Sequence, residues 1–253
     1  MVKPKKHLGQ HFLTDVSIAQ SISASLKAEN CELVLEIGPG TGFLTQHLLQ
    51  KFGEKLSVVE LDSESVDYLQ HHFPQLKNKI YSEDFIRMNI KNLCKGQIAI
   101  IGNFPYNISS QIVFKIIEER ELIPEMVGMF QREVAERICS KEGSKVYGIT
   151  SILTQAYYDT EYLFTVNEDV FNPPPKVKSA VIRLKRNYKI PDNFDHKAFF
   201  RLVKMAFNQR RKTMRNALSQ LIKEKQIAPA DWMSKRAEQL SVTDFIELNN
   251  SLS

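Results

Sequence analysis

Leu33-Val34-Leu35-Glu36-Ile37-Gly38-Pro39-Gly40-Thr41-Gly42 is the stretch on which the fold turns. Its apolar start reads as a buried strand, and its glycine-rich end as a tight turn leaving that strand. Glycine in such a turn lets backbone approach a ligand closely, because no Cβ intervenes. Phe43 to Lys51 follows with helical spacing, so the unit reads strand, turn, helix. A dinucleotide fingerprint would need glycine at the first, third and sixth positions. Counting from Gly38, the sixth position is Phe43, and that match fails.

An acid two residues before the first glycine, with glycines alternating after it, resembles instead motif I of class I methyltransferases that use S-adenosylmethionine. Standing alone, it would read better as an ordinary strand-to-helix turn, so the neighbours decide. Leu56-Ser57-Val58-Val59 reads as the second strand, with Glu60 at its C-terminal end. Glu60 lies 18 residues after Gly42, where a doubly wound fold places the carboxylate that binds ribose hydroxyls. A third short strand, near Lys79 to Ser82, leads into Glu83-Asp84-Phe85. Asp84 can accept from a cofactor's adenine amine there, and Phe85 can pack beside it. Each acid taken singly would pass as a solvated surface residue. Their arrival in order, each at a predicted strand end, argues against coincidence.

A second motif closes another apolar run. Ile98 to Ile101 reads as a buried parallel strand and ends in Asn103-Phe104-Pro105-Tyr106. This turn suits one task, holding a flat heterocyclic amine beside an electrophile. Tyr106 offers a face on which a base can stack. The Asn103 side-chain oxygen and the Pro105 carbonyl can accept the two N–H bonds of an exocyclic amine. Pro and Tyr are common in turns, so the tetrapeptide gains its weight from the motifs upstream.

A chain of 253 residues fits one doubly wound domain with a small appendage. Its hydrophobic content of 43% is ordinary for a globular protein. No apolar run reaches spanning length and the start lacks a signal-peptide core, so neither a membrane location nor secretion is expected. Cys31, Cys94 and Cys139 are odd in number and scattered. They suggest neither a disulfide framework nor a metal site, and point to a reducing cytoplasm.

Charge is uneven along the chain. Through Arg186 there are 22 Lys plus Arg against 22 Asp plus Glu; from Asn187 onward the counts are 12 and 7. Between His196 and Ile222 stand Lys197, Arg201, Lys204, Arg210, Arg211, Lys212 and Arg215, with no acid among them. Apolar residues from Phe199 to Leu221 recur there at roughly helical spacing, which predicts one or two amphipathic helices with a basic outer face. A basic face is often only solvated, but the missing acids remove the usual salt-bridge partners. A footprint for phosphates is the better reading. Two further basic groups are Lys3, Lys5 and Lys6 at the start, and Lys176 and Lys178 after Pro173-Pro174-Pro175. The N-terminal segment is expected to dock over the cofactor cleft with its lysines facing RNA. Three prolines stiffen the later loop, which can carry Phe171 to the cleft edge as an aromatic clamp with Tyr106, although taken alone Phe171 reads better as core.

Taken together, these residues resemble the small-subunit rRNA adenine N6,N6-dimethyltransferases over nearly the whole chain. The matching segments are Lys6 to Leu13, Glu36 to Gly42, Glu60-Leu61-Asp62, Asn103 to Ser109, Phe130 to Val134, Phe171 to Val177, and Phe207 to Thr213. The resemblance implies an α/β class I methyltransferase, a Rossmann-like and mostly parallel seven-stranded sheet over residues 1–186. It adds a small helical, basic RNA-binding domain over 187–253. It implies catalysis by Asn103, Pro105, Tyr106 and Phe171. Cofactor contacts fall to His11, Leu13, Gly38, Gly40, Glu60, Asp84, Phe85 and Asn103. RNA contacts fall to Lys3, Lys5, Lys6, Lys176, Lys178, Arg210, Arg211, Lys212 and Arg215. The cofactor would be S-adenosylmethionine, with no metal, because a methyl on a sulfonium is already electrophilic. The partner would be 16S rRNA in the immature small subunit, met by a monomer. Two departures are visible: many members have Asn in place of His11, and Leu or Ile in place of Phe104. Two rival readings share parts of this pattern. A large-subunit rRNA methyltransferase would share the catalytic domain, but the Arg210-Arg211-Lys212 run and the triple proline favour the small subunit. A non-catalytic nucleic-acid-binding factor on this fold would not need Gly38, Gly40, Glu60, Asp84, Asn103 and Tyr106 intact.

Overall fold

The computed structural model describes residues 2–191 and 193–252, apart from the side chain of Lys6. Two compact units divide the chain: Met1–Ala135 with Glu161–Arg186, and Glu136–Thr160 with Asn187–Ser253. This differs from the two consecutive segments expected, since residues 136–160 join the C-terminal helices. The physical reason is an apolar helix in that stretch, described below.

The strands are β1 (Phe12–Leu13), β2 (Cys31–Ile37), β3 (Leu56–Val59), β4 (Ile80–Tyr81), β5 (Gln97–Asn103), β6 (Glu125–Gln131), β7 (Tyr158–Val166), β8 (Phe171–Asn172) and β9 (Ser179–Arg186). Among the described residues seven of them form one sheet, ordered β4-β3-β2-β5-β6-β9-β7. Pairings from β4 through β6 are parallel, and β9 runs antiparallel to β6. The central strands are buried on both faces, which is why they read as continuous apolar runs rather than alternating ones. From β2 the chain steps to β3 on one side, then returns to β5 on the other. That reversal opens a crevice at the C-terminal ends of β2 and β5. The expected class I methyltransferase sheet is therefore the observed one.

Helices α1 (Val16–Ser25), α2 (Thr45–Phe52), α3 (Ser63–His72) and α4 (Ser109–Glu118) cover this sheet. Asp15 caps α1 by accepting from the Ile18 amide at 3.0 Å, and Asp62 caps α3. The N-terminal arm is tied down by β1, which pairs antiparallel with β8 so that Leu13 faces Phe171 and Phe12 faces Asn172.

Gly102 and Gly128 lie opposite each other on β5 and β6. A Cβ on Gly128 would fall 2.3 Å from the Phe104 ring, and one on Gly102 2.8 Å from it. The glycine pair leaves room for a phenyl ring where an aliphatic side chain is common. Phe104 fills that room and meets Phe130 edge to face at 5.1 Å.

Helix α5 (Arg132–Cys139) begins in the first unit and ends in the second, where α6 (Ile149–Tyr157) packs against α7 (His196–Asn208) and α10 (Val242–Leu252). Ile152, Leu153 and Ala156 of α6 are fully buried. On α7, Phe199, Leu202, Val203 and Ala206 face inward, while Lys197, Arg201, Lys204 and Asn208 are exposed. The expected amphipathic face is present, but the helix stops at Asn208. Arg210, Arg211 and Lys212 therefore sit in a turn before α8 (Met214–Ala217) and α9 (Ser219–Glu224), not on a helix face.

Candidate active site

A cleft of about 410 Å³ opens at the C-terminal ends of β2, β3 and β5, wholly within the first unit. One wall is the glycine loop. Gly38 and Gly40 both hold positive φ, at 67° and 55°. A Cβ on Gly40 would meet the Phe12 ring at 2.7 Å, so only glycine fits beneath the arm. Glu60 stands at the end of β3, 6% exposed. Its Oε2 accepts from the Gly40 amide at 3.0 Å, and its Oε1 from the Asp62 amide at 2.9 Å. Burial raises its pKa above the usual carboxylate value, and these backbone donors offset part of the rise. Each oxygen keeps a second lone pair for a ribose hydroxyl.

Asp84, Phe85 and Leu61 form the next wall. Asp84 Oδ1 accepts from the Ile86 amide at 2.9 Å, which fixes the carboxylate at the start of a turn. Leu61 is 56% exposed, a large apolar side chain open to a cleft where a heterocycle would cover it. It was not expected, though it stands between two acids that the motif singles out. Glu36, by contrast, does not line the cleft. It is 1% exposed beneath the glycine loop.

The third wall is the turn after β5. The Asn103 amide nitrogen donates to the His11 carbonyl at 2.9 Å. A carbonyl can only accept, so this contact fixes which end of the amide is which. The Asn103 oxygen is left to accept from a ligand. The Pro105 carbonyl receives one long bond, 3.3 Å from the Ile108 amide, and keeps a lone pair. Tyr106 is held by a 2.6 Å hydrogen bond between its hydroxyl and Ser179 Oγ. The His11 ring stacks against it with centroids 5.5 Å apart. His11 Nδ1 lies 2.7 Å from the Pro173 carbonyl, which can only accept, so this nitrogen carries a proton. Ser179 gave no local signal, being 73 residues from the tyrosine it orients.

Several expected site residues stand elsewhere. Phe171 is 4% exposed and packs in the core with Leu13, so it does not pair with Tyr106 as a clamp. Leu13 likewise puts its side chain into the core, and its neighbours Gln10, His11 and Phe12 line the cleft instead. Both results follow from the β1–β8 pairing, which turns the two residues inward together. Lys5 does not face outward for RNA, because its ammonium pairs with the buried Asp62. Gln10 reaches the same carboxylate, so the arm is fastened at both ends. Arg210 donates to the Lys145 carbonyl at 2.7 Å and lies 3.8 Å from Glu238. Lys3, Lys176, Lys178, Arg211, Lys212 and Arg215 are exposed. The Lys6 side chain lies outside the described residues.

Sheet order, glycine loop and strand-end acids together define a class I methyltransferase. The sequence model of the ribosomal RNA adenine dimethylase family matches residues 1–253, and the chain belongs to that family. It is 54% identical over 253 residues to ribosomal RNA small subunit methyltransferase A of Cytophaga hutchinsonii, covering 100% of this chain and 98% of that one. To the protein of the same name from Flavobacterium johnsoniae it is 56% identical over 254 residues, covering 99% and 96%. A dimethyladenosine transferase from Plasmodium falciparum superposes with a TM-score of 0.79 at 26% identity, over 94% of this chain and 96% of that one. The 23S rRNA methyltransferase ErmE shares the fold, with a TM-score of 0.70 at 22% identity over 94% and 99%.

Proposed function

We propose that this protein methylates the N6 amines of two adjacent adenosines in a hairpin near the 3′ end of 16S rRNA, taking methyl groups from S-adenosylmethionine. The substrate is the rRNA of the immature small subunit, and the product is N6,N6-dimethyladenosine. The observation that carries this reading is Asn103, which lines the same cleft as the glycine loop and whose amide nitrogen is engaged by the His11 carbonyl, leaving its oxygen free to accept.

The residues fit the cofactor. Glu60 offers lone pairs for two ribose hydroxyls, Asp84 an acceptor for an adenine amine, and Gly38 and Gly40 two backbone positions without a Cβ. When bound, the cofactor supplies a methyl group on a positively charged sulfur. The protein's work is then positioning and polarisation. An adenine amine is a poor nucleophile because its lone pair is delocalised into the ring. Accepting both N–H bonds at the Asn103 oxygen and the Pro105 carbonyl favours a pyramidal nitrogen with its lone pair free. Tyr106, fixed by Ser179, offers a stacking face for the base. Leaving a stem or stacked loop costs the base a few kcal/mol, and aromatic stacking returns about 1–3 kcal/mol. Arg211, Lys212, Arg215, Lys176 and Lys178 supply phosphate contacts.

The test is transfer of labelled methyl groups to immature small subunits and, separately, to large subunits, followed by mapping of the modified bases. Label confined to two neighbouring adenosines of 16S rRNA is the expected result. Label in large-subunit rRNA, or in neither, would overturn the assignment.

A further inference from the structure

Lys115 stands where the inner face of α4 should carry an aliphatic residue. Around it Ile112, Val113, Ile116 and Ile117 are fully buried, and Lys115 itself is only 9% exposed. Its ammonium donates to the Ile86 carbonyl at 3.0 Å and to the Met88 carbonyl at 2.5 Å. It also lies 5.4 Å from the centre of the Phe85 ring. Two carbonyls and an aromatic face thus replace most of its water. Burial lowers its pKa below the usual lysine value, and Glu119, Glu118 and Asp84 pull the other way.

Those carbonyls belong to the turn that begins at Asp84. The Arg87 and Met88 amides donate back to the Asp84 carbonyl at 3.0 and 2.9 Å. At its other end α4 starts directly after the catalytic turn, where Ser109 Oγ donates to the Tyr106 carbonyl at 3.0 Å. One helix therefore touches two walls of the cleft, and it reaches the acidic wall through the Lys115 ammonium.

We propose that Lys115 is a positioning residue that sets the Asp84–Phe85 turn for the adenine end of the cofactor. This rests on the reading of the cleft as a cofactor site. Methionine at this position keeps the apolar stem but leaves the Ile86 and Met88 carbonyls without their donor, so the turn is released. Arginine keeps the charge and adds a planar set of donors that can bridge two carbonyls. A lysine that merely held the fold would lower stability and change every kinetic constant together.

The experiment compares wild type, Lys115→Met and Lys115→Arg in the full-length protein, well below each variant's melting temperature. S-adenosylmethionine affinity is measured by calorimetry, and KM for cofactor and for rRNA by steady-state kinetics. Lys115→Met should raise the cofactor KM and Kd by roughly tenfold, the scale of a lost charge-assisted hydrogen bond. The rRNA KM and kcat should stay within about twofold, since neither the base pocket nor the methyl acceptor is touched. Lys115→Arg should recover most of the cofactor affinity. Unchanged cofactor affinity in Lys115→Met, or a proportional fall in all constants without rescue by arginine, would overturn the proposal. Wild-type protein with no affinity for S-adenosylmethionine would overturn the reading of the cleft and this proposal with it.

Discussion

Glu36 sits beneath the glycine loop with Oε2 buried and without a hydrogen-bond partner among the described residues. Burial pushes its carboxyl up to about 8, with the Thr45 hydroxyl pulling down and the neighbouring Glu60 adding to the rise. The consequence for stability has a definite sign. Between its ordinary value of 4.5 and 8, the folded protein holds a proton that the unfolded chain has released. Stability therefore falls as pH rises through that window, by at most about 1.4 kcal/mol per pH unit for this one proton. Glu36→Gln keeps the shape and removes the titration. In thermal unfolding of the cofactor-free protein, Glu36→Gln should melt above wild type at pH 8 to 9. The gap should close toward pH 4.5. Parallel melting curves across that range would show that Glu36 is ionised in the fold.

At the scale of elements, the strand ends were legible because local pattern sets them. Glu60, Asp84 and Asn103 each follow an apolar run, and a parallel strand buried on both faces leaves that mark in any sequence. The positions of Leu13, Phe171 and Lys5 were not legible. Leu13 and Phe171 turn inward because β1 meets β8 across the chain, and Lys5 turns inward because it meets Asp62. Nothing local encodes a partner that far away. Arg210, Arg211 and Lys212 leave the expected basic helix face because the chain turns after Asn208, although basic and apolar residues continue past it. The Phe104 substitution has its explanation in a neighbouring strand. Because Gly102 and Gly128 flank the ring, Gly128→Ala should destabilise by roughly 1–3 kcal/mol through overpacking. Phe104→Leu should relieve most of that in the double mutant, a coupling that a thermodynamic cycle measures. Additive effects would mean that the ring does not depend on the glycine.

For the whole molecule, chemistry and charge are divided between the two units. The first contains the complete cleft, and the second contains the bases that carry the formal excess of +5. Within the basic run the structure separates two roles that composition could not. Arg210 braces the loop at Lys145, whereas Arg211, Lys212 and Arg215 are exposed. Neutralising those three should weaken rRNA binding and flatten its salt dependence, leaving cofactor affinity and melting temperature near wild type. Each lost phosphate contact should reduce the log–log slope by about 0.7 to 0.9. Arg210→Ala should do the reverse, lowering the melting temperature with little change in slope. A salt titration beside thermal unfolding distinguishes them, and an unchanged slope in the triple variant would move the RNA footprint to Lys3, Lys176 and Lys178.

Hydrogen-bond acceptance by Asn103 from the target amine, as methyl transfer proceeds, is the step on which the proposed chemistry depends. Its most direct test is a single-turnover measurement of Asn103→Ala with both S-adenosylmethionine and immature small subunits saturating. The interaction strengthens as the nitrogen pyramidalises, so its loss belongs in the rate and not in binding. The rate should fall by about a hundredfold or more, the scale of one hydrogen bond aimed at a transition state. That fall should far exceed any loss of affinity for S-adenosylmethionine or rRNA. A wild-type rate at saturation, or a loss found entirely in cofactor or rRNA affinity, would contradict the account.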